Sequence, residues 1–560
     1  MKKIIIILIS VFTVSCSDFL DTDQLTQKDS SNYPQTPDEA YTSLMGVYNA
    51  FGSRVGGGET EHSFIVLNLM ADDMLGGGGK DDLTSHAIDL FKLTSRTMYT
   101  DLWECTWRSV YRANLLLGSL DNIKWPTTES RNKIEGQVLF LRAFTYFRLC
   151  SMFGPVQLIT TPEPVNLPRA SAEDVYAQMG ADLKRAIEIL PATKFQDIPK
   201  SENGLATRWA AQALMARIFL FYTDYYKQPQ MGDITKEQVV AWVDDCIANS
   251  GHDLIPDFRN LWPYSIVMSG KTKSDYKYAA DNNLKWIGEN GDNNETMFAI
   301  KCSTAAQGNN YDRRNTVNLH FGFRGNQDLL PFGSGWGKGP VNSKFYNEWP
   351  NNDLRKRGSV LDVSDATHEG EGSTSKYKWG QAYQWNETGY WSKKYMPVNV
   401  YDDKGNIVSY SSILWNMPND PQFNSTQDIV LIRFADLLLM GAELGGSKAQ
   451  EYMDRVRKRV DLPSVPATLE NIKNERKYEL AFEGIRWLDV LRWGDAESTV
   501  NGMNGITLKN NSQNATYKIK FRPETGGFLP IPEAEITLSN GVLTQTPGWN
   551  TNDAMLQPGE

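Results

Sequence analysis

The stretch ERKYELAFEGIRWLDVLRWG at residues 475–494 carries the strongest structural signal in the chain. Its acidic residues Glu475, Glu479 and Glu483 recur every four positions, so in a helix they would share one face and repel each other. Compensating charge is available from three arginines of the same stretch, Arg476, Arg486 and Arg492. The stretch therefore predicts a network of charges that ties this helix to its neighbours, and we do not expect these residues in a ligand site.

Helical patterns extend outward from this stretch and cover much of both ends of the chain. Apolar residues recur at spacings of three and four, which is the period of a helix with one buried face. The predicted helices are 102–120, 129–153, 171–190, 207–226, 236–248, 428–444, 449–460 and 469–492. The second of them should end at Gly154 and Pro155, a pair that breaks helices. Paired helices of this size are typical of tetratricopeptide-like hairpins, although no regular repeat is visible.

The middle of the chain, residues 251–427, has a different composition. It is rich in Gly, Asn, Asp, Pro and aromatic residues, with only short strand-like runs such as 297–300. We expect a mainly α fold in a single domain, 39–560. Its expected parts are a tetratricopeptide-like helical scaffold at about 39–250 and 428–495, a large irregular loop-rich subdomain at about 251–427, and C-terminal loops at 496–560. Binding residues concentrate in loops on rigid scaffolds, so the subdomain is the expected ligand-binding part.

The N-terminus has the three parts of a signal peptide. The chain begins Met-Lys-Lys and continues with an apolar stretch, a small residue and Cys16. The apolar stretch is too short for a membrane-spanning helix, which needs about 20 residues. We expect residues 1–15 to be removed, Cys16 to be lipidated and residues 16–38 to form a tether. The alternative is an ordinary secretory signal in which the cysteine has no special role.

Composition and charge exclude several classes of protein. The chain has 57 basic and 67 acidic residues, a net charge of −10, and it lacks the basic stripe that a nucleic-acid partner would require. The remaining cysteines are widely spaced and form no CxxC pair, which favours buried free thiols over disulfides or zinc ligands. They are Cys105, Cys150, Cys246 and Cys302. The five histidines show no metal-ligand spacing, so the sequence predicts no metal site and no cofactor.

Signatures of catalysis are missing from the sequence: it contains neither a GxSxG elbow nor an HExxH motif. Asp72, Asp73 and Asp81 lie beside a run of four glycines, and paired carboxylates can hydrolyse glycosidic bonds. Acidic pairs in glycine-rich loops are common, and sequence does not show the distance between two carboxylates. We expect no catalytic residue, and a surface glycoside hydrolase that uses these aspartates remains an alternative.

Two regions stand out as contact surfaces. Residues 69–103 contain the acidic pair, the four glycines and Tyr99, while residues 303–415 hold six of the chain's 16 tryptophans. Aromatic faces stack on sugar rings, and Arg, Asn, Asp and Gln satisfy the hydroxyl groups. This combination favours a glycan site, although most of these aromatic residues are expected to pack loops onto helices.

Several motifs, in order along the chain, resemble the SusD/RagB family, the surface nutrient-binding lipoproteins of Bacteroidetes. They are CSDFLD at 16–21, WRSVYRAN at 107–114, LRAFTYF at 141–147, FGPV at 153–156, GWG at 335–337, DLR at 353–355, the stretch 475–494, PIP at 530–532 and QTPGW at 545–549. The stretch 475–494 is the most specific, and the motifs span essentially the whole mature chain. Leu354 and Ala481 stand where Pro and Gly are common in the family.

The resemblance implies a tetratricopeptide-like scaffold, an irregular subdomain with a shallow glycan site, and no catalytic activity. It also implies a surface position in the outer membrane through the lipid on Cys16. The implied partner is a SusC-like TonB-dependent outer-membrane barrel that receives the captured glycan. A peptide ligand, as in some relatives, remains an alternative.

Because no short family motif carries the ligand contacts, the candidate site residues come from composition and position in loops. The glycan-binding candidates are Trp336, Tyr311, Arg313, Arg324 and Tyr99, followed by Asp73, Trp349, Trp385 and Trp391.

Overall fold

A computed structural model describes residues 33–52, 62–93, 100–266, 276–289, 293–302, 315–324, 331–364, 383–419 and 425–549. Across these residues the protein is mainly α-helical, as predicted, and its short strands form separate two-stranded pairs. Cys16 and the greater part of the predicted tether lie outside the described residues.

The first half of the chain is helical. Its helices are α1 Pro37–Phe51, α2 Ser63–Leu69, α3 Leu83–Asp89, α4 Thr100–Ser119, α5 Thr128–Phe153, α6 Ala172–Ile189, α7 Arg208–Tyr225 and α8 Lys236–Asn249. Consecutive helices from α4 to α8 pack on each other, and α1 packs on α4 and α5. Local sequence explains the bounds of α5, because the Thr127 hydroxyl caps the Ser130 N–H at 3.1 Å and Gly154, at φ 72°, ends the helix. The five helices predicted here are confirmed.

Short elements fill the middle of the chain. The helices are α9 Lys277–Asp281, α10 Val317–Phe321, α11 Ser343–Glu348, α12 Leu354–Ser359 and α13 Tyr410–Leu414, and the strands are β1 Thr296–Ile300, β2 Phe323–Arg324, β3 Ser334–Gly335, β4 Val360–Asp362, β5 Tyr390–Ser392, β6 Asn399–Tyr401, β7 Ile407–Ser409 and β8 Ile429–Arg433. The strand-like run at 297–300 is confirmed as part of β1.

The C-terminal part returns to helices that join the first half. They are α14 Phe434–Leu444, α15 Ala449–Arg459, α16 Leu469–Glu479, α17 Arg486–Arg492, α18 Ala496–Asn501 and α19 Glu533–Leu538, with a hairpin of β9 Thr507–Asn510 and β10 Gln513–Thr516 between the last two. Helix α14 packs on α7 and α8, and α17 packs on α7 and α2. Helices from both ends of the chain therefore share one continuous core. Cys105, Cys150, Cys246 and Cys302 are free thiols, as predicted.

Two predicted helices and the predicted C-terminal loops need correction. The first residues of the predicted helix 428–444 form β8, which pairs antiparallel with β1, because Ile429, Val430 and Ile432 are β-branched and favour a strand. The predicted helix 469–492 breaks after Glu479, since Phe482 has a φ of 64° that no right-handed helix accommodates. Residues 496–549 are not loops alone, because they include α18, α19 and the β9–β10 hairpin.

The break in the stretch 475–494 serves the predicted charge network, which centres on Glu479. Its buried carboxylate accepts hydrogen bonds from Arg433 at 2.6 Å, from Arg355 at 2.9 Å and from Arg459. Burial by itself would raise the pKa of Glu479, but the three guanidinium groups hold this pKa well below its usual range. The carboxylate is therefore ionised in the interior of the protein.

The network is confirmed, but its predicted cations are wrong. The charges facing Glu475 and Glu483 come from other elements. Glu475 binds Arg355 at 2.6 Å and Arg457 at 2.5 Å, and Glu483 binds Lys394 at 2.6 Å and Arg433 at 2.7 Å. The arginines of the stretch point to different neighbours: Arg476 to Asp436 and Asp489, Arg486 to Asp72, and Arg492 to Glu443, Asp489 and Asp224. Arg476 follows Glu475 directly and so points about 100° away from it, while Arg486 and Arg492 lie beyond the break, on α17.

Candidate functional site

The fold brings together the two regions that the sequence marks as contact surfaces. The glycine-rich loop after α2 runs alongside the segment after β3, where the Gly78 N–H donates to the Gly337 carbonyl at 2.6 Å. A third segment before β5 joins them, because the Trp385 N–H donates to the Gly78 carbonyl at 2.8 Å and Asn386 Oδ1 accepts from the Gly77 N–H at 3.0 Å. We call the described residues of these segments, 76–82, 320–324, 331–338 and 383–386, the loop site.

Glycine is required where the segments of the loop site meet. Gly77 has a φ of 65°, and a Cβ there would lie 2.4 Å from Pro340 Cδ. Gly337 has a φ of 71°, and a Cβ there would lie 2.2 Å from Gln384 Oε1. Both positions combine the left-handed backbone region with contacts too close for any side chain. The glycine runs therefore serve close packing of the loops, which places Trp336 at the surface.

Trp336 is an exposed ring of the loop site, with 38% of its surface accessible. The backbone N–H of Trp336 donates to the Leu319 carbonyl at 2.7 Å, and Arg324 Nη1 donates to the backbone carbonyl of Trp336 at 3.3 Å. The His320 ring meets the indole at 89° with centroids 4.6 Å apart, and Lys338 Nζ lies 5.6 Å from the indole centroid. The backbone and part of the ring are thus held in place while the rest faces solvent.

Charged groups surround this ring. Asp82 accepts from Arg324 Nη1 at 3.0 Å and lies 3.3 Å from Lys338 Nζ, so one carboxylate holds both cations. Burial lowers the pKa of Lys338 to about 7. Fixed donors beside an exposed aromatic face are the arrangement that a polyhydroxylated ligand requires, because hydroxyl groups need partners while the ring faces stack.

Trp385 and Tyr383 extend the aromatic surface. Trp385 is partly exposed, and its ring lies 6.3 Å from that of His86. Tyr383 is 70% exposed and has a φ of 79°, with its N–H bonded to Asn511 Oδ1 at 2.9 Å. Sequence reasoning missed Tyr383 and Lys338. Tyr383 stands two positions before Trp385, a spacing that places two side chains on the same side of an extended segment.

The remaining candidates separate into two groups. Tyr99, Tyr311 and Arg313, like Cys16, lie outside the described residues. Trp349 and Trp391 lie in the core, which corrects their prediction as ligand platforms. The Trp349 ring stacks on Tyr478 at 4.8 Å, and Trp391 in β5 is fully buried. A ligand cannot reach a face that is already covered by protein.

Asp73 is also buried, so it does not fit the predicted contact with sugar hydroxyls. Asp73 Oδ2 accepts from the Phe482 N–H at 2.8 Å, next to the break in the stretch 475–494. Its neighbour Asp72 pairs with Arg486 at 2.7 Å. Burial, followed by the charge of Asp72, raises the pKa of Asp73 to about 7, whereas Arg486 outweighs burial and lowers the pKa of Asp72. Both carboxylates hold the loop onto α17 and its preceding turn.

We expect Asp73→Asn to stabilise the protein above pH 7 by about 2 kcal/mol, because it removes a buried charge that folding disfavours. The pKa of Asp73 is about 7 in the folded protein and near 4 when unfolded, so the charge penalty is absent below about pH 4 and complete above about pH 7. Urea denaturation at pH 5 and pH 8 measures the difference. Equal stabilities of variant and wild type at pH 8 would contradict the assignment of a buried, protonatable carboxyl.

Comparisons with known proteins agree with this fold. A family model described as "SusD family" matches residues 294–549, and one described as "Starch-binding associating with outer membrane" matches residues 61–220. A SusD-like protein of Formosa agariphila is 22% identical over 98% of this chain and 99% of its own length. A SusD-like protein of Bacteroides ovatus is 24% identical over 69% of this chain and 65% of its own length.

Solved structures are similar along nearly the whole chain. A "Laminarin binding SusD-like protein" is 25% identical with a TM-score of 0.72, covering 92% of this chain and 100% of that chain. Surface glycan-binding protein A from Bacteroides thetaiotaomicron, in complex with laminarihexaose, is 21% identical with a TM-score of 0.70, covering 91% of this chain and 100% of that chain. These matches define a class of SusD-like proteins with a mainly α, tetratricopeptide-like scaffold, which includes surface glycan-binding proteins. The chain belongs to the SusD/RagB family.

Proposed function

We propose that this protein binds a glycan at the loop site without converting it. The observation that carries the proposal is the exposed Trp336 ring, fixed by its neighbours beside Arg324, Lys338 and Asp82. The indole stacks on a sugar ring, and the polar ends of these three side chains bind its hydroxyls. Trp385 and Tyr383 offer further aromatic surface along an extended chain. The laminarin and laminarihexaose named for two similar structures support this ligand class.

The proposed ligand binds without turnover. Asp72 and Asp73, two of the three carboxylates considered for a hydrolase, are occupied by Arg486 and by the Phe482 N–H inside the fold, while the third, Asp81, is exposed. Asp82, the carboxylate nearest Trp336, is held by two cations. A general acid in glycoside hydrolysis must reach the scissile oxygen. These contacts support a binding protein rather than a hydrolase.

The proposed location is the outer membrane, with Cys16 as the lipid anchor and the ligand passed to a SusC-like TonB-dependent barrel. The family description "associating with outer membrane" supports this placement. Within the described residues, no helix combines the length and the apolar character needed to cross a membrane. A lipid on Cys16, followed by the polar residues before α1, would tether the fold at the surface.

Replacing Trp336 with alanine tests the proposal directly. We expect affinity for the glycan to fall at least about tenfold, or about 1.4 kcal/mol, because the exposed ring supplies the stacking surface. Affinity electrophoresis against a polysaccharide panel that includes laminarin and starch finds the ligand, and calorimetry measures it. Tyr41→Ala is the matched control, since Tyr41 is an exposed aromatic residue on α1, outside the loop site.

Unchanged affinity in Trp336→Ala, with the fold intact by circular dichroism, would contradict the placement of the site. Peptides in the same panel test the other ligand class. If peptides bind and no glycan does, and if Trp336→Ala abolishes that binding, then the loop site is correct and the proposed ligand is wrong.

A further inference from the structure

A second surface, separate from the loop site, has the features of a docking site. A cleft of about 380 Å³ lies between the outer face of α4, the segment 157–165 and α19. Trp103, Trp107 and Tyr111 line one wall at successive turns of α4. None of these residues belongs to the loop site. We call the cleft and the surface around it the α4 face.

Exposed apolar side chains concentrate around this cleft. Half of the ten large apolar residues found exposed among the described residues lie here: Tyr111, Val165, Leu167, Leu538 and Val542. Tyr111 and Val165 line the cleft, and Asn166 Nδ2 donates to the Ser539 carbonyl at 2.9 Å, which joins the 165–167 segment to the end of α19. Leu538 is 75% exposed. Exposed apolar side chains grouped around a cleft in this way favour an interaction site.

The cleft also holds two unsatisfied polar atoms of opposite kinds. Trp107 Nε1 is a donor and Gln157 Oε1 an acceptor, and both are buried with no hydrogen-bond partner in the described part of the chain. Burying such groups without a partner costs free energy. Because both atoms are buried, a docked segment does not reach them directly; an extended peptide lying across the cleft covers the apolar rim with its side chains.

The charges that line the cleft distinguish between its possible occupants. Glu163 and Glu535 line the cleft, and its lining contains no Lys or Arg within the described ranges. An anionic membrane surface would be repelled, and so would a second copy of the same face. The chain's own residues 16–32 carry four aspartates and a single lysine, so they are also a poor match. Complementarity favours a basic occupant.

We propose that the α4 face docks an extended segment of a separate protein, with apolar side chains at its centre and Lys or Arg at its flanks. The apolar centre covers Tyr111, Val165 and Leu538, and the basic flanks pair with Glu163 and Glu535. The inference does not depend on glycan binding at the loop site, since the two surfaces share no residue.

Two labelled peptides test the inference by fluorescence anisotropy with the purified protein. Both have the same extended Leu/Phe centre, flanked by lysines in one and by glutamates in the other. We expect the Lys-flanked peptide to bind at least about tenfold more tightly. Val165→Asp and Leu538→Asp should weaken it by a similar factor, whereas the matched control Ile407→Asp, an exposed apolar residue in β7, should not.

A charge swap sharpens the test. The double variant Glu163→Lys with Glu535→Lys should reverse the preference between the two peptides. Trp336→Ala should leave peptide binding unchanged, which separates this inference from the proposed function. Absence of binding by either peptide, or equal effects of Val165→Asp and Ile407→Asp, would overturn the proposal. Val165-dependent binding to phosphatidylglycerol vesicles, or Val165-dependent self-association in ultracentrifugation, would assign the face to a membrane or to a second copy instead.

Discussion

Arg433→Met is expected to lower the free energy of unfolding by about 3–5 kcal/mol. Arg433 binds Glu295 at 2.9 Å, Glu479 at 2.6 Å and Glu483 at 2.7 Å, and all three carboxylates are buried. Its removal leaves negative charges in the interior with too few partners, and methionine restores packing but no charge. Equilibrium denaturation in urea measures the loss.

The matched control is Arg455→Met on α15, because Arg455 is partly exposed and pairs with Asp253 at 2.8 Å. A surface pair of this kind is worth about 1 kcal/mol or less.

The dependence of stability on pH provides a second test of the charge network. The low pKa of Glu479 contributes stability above its unfolded value near 4.5, and this contribution is lost as the pH falls through the lower folded value. The wild type and Arg433→Met should therefore converge in stability at low pH. A stability difference that does not change with pH would contradict the network.

Trp391→Ala is expected to destabilise the protein by about 3–5 kcal/mol, because it opens a cavity where a fully buried indole stood. Trp391 lies in β5 opposite Leu361 of β4, inside the main hydrophobic core. Glycan affinity, measured at a temperature where the variant remains folded, should be unchanged. Thermal and urea denaturation, together with calorimetric titration, separate the two properties.

Trp336→Ala is expected to have the opposite effects on stability and on glycan affinity. It removes a partly exposed ring, so its stability should stay within about 1 kcal/mol of the wild type while its glycan affinity falls. If Trp391→Ala lost affinity and kept its stability, the separation of core and platform tryptophans made here would be wrong.

The helical parts of the fold could be predicted because their signals are local. The α5 helix follows from its apolar period, its Thr127 cap and the pair of Gly154 and Pro155, all of which are visible within one segment. The strand β8 could not be predicted, because its partner β1 lies 129 to 137 positions earlier in the chain. A short apolar run such as this one suits a helix equally well. The break after Glu479 likewise depends on contacts of Phe482 with Asp73, far away in sequence.

The sequence predicted the types of residue that form the loop site, but only some of the residues themselves. Trp336, Arg324 and Trp385 come together as expected. Trp349 and Trp391 have the same side chain as Trp336 and Trp385, yet they lie in the core. Nothing local distinguishes these rings. Lys338 was missed because its importance comes from its distances to Asp82 and to Trp336, which sequence does not contain.

The sequence by itself determined the family, the helical scaffold and the need for a charge network around Glu475, Glu479 and Glu483. Helical periods, caps and individual motifs each involve only a few neighbouring residues, so the sequence alone reveals them. Only the tertiary structure decided which arginines neutralise those glutamates, which tryptophans face solvent, and that α4 has an uncovered apolar face. Each of these depends on pairs of residues that are distant in the chain and adjacent in space, and burial and charge pairing are properties of that proximity.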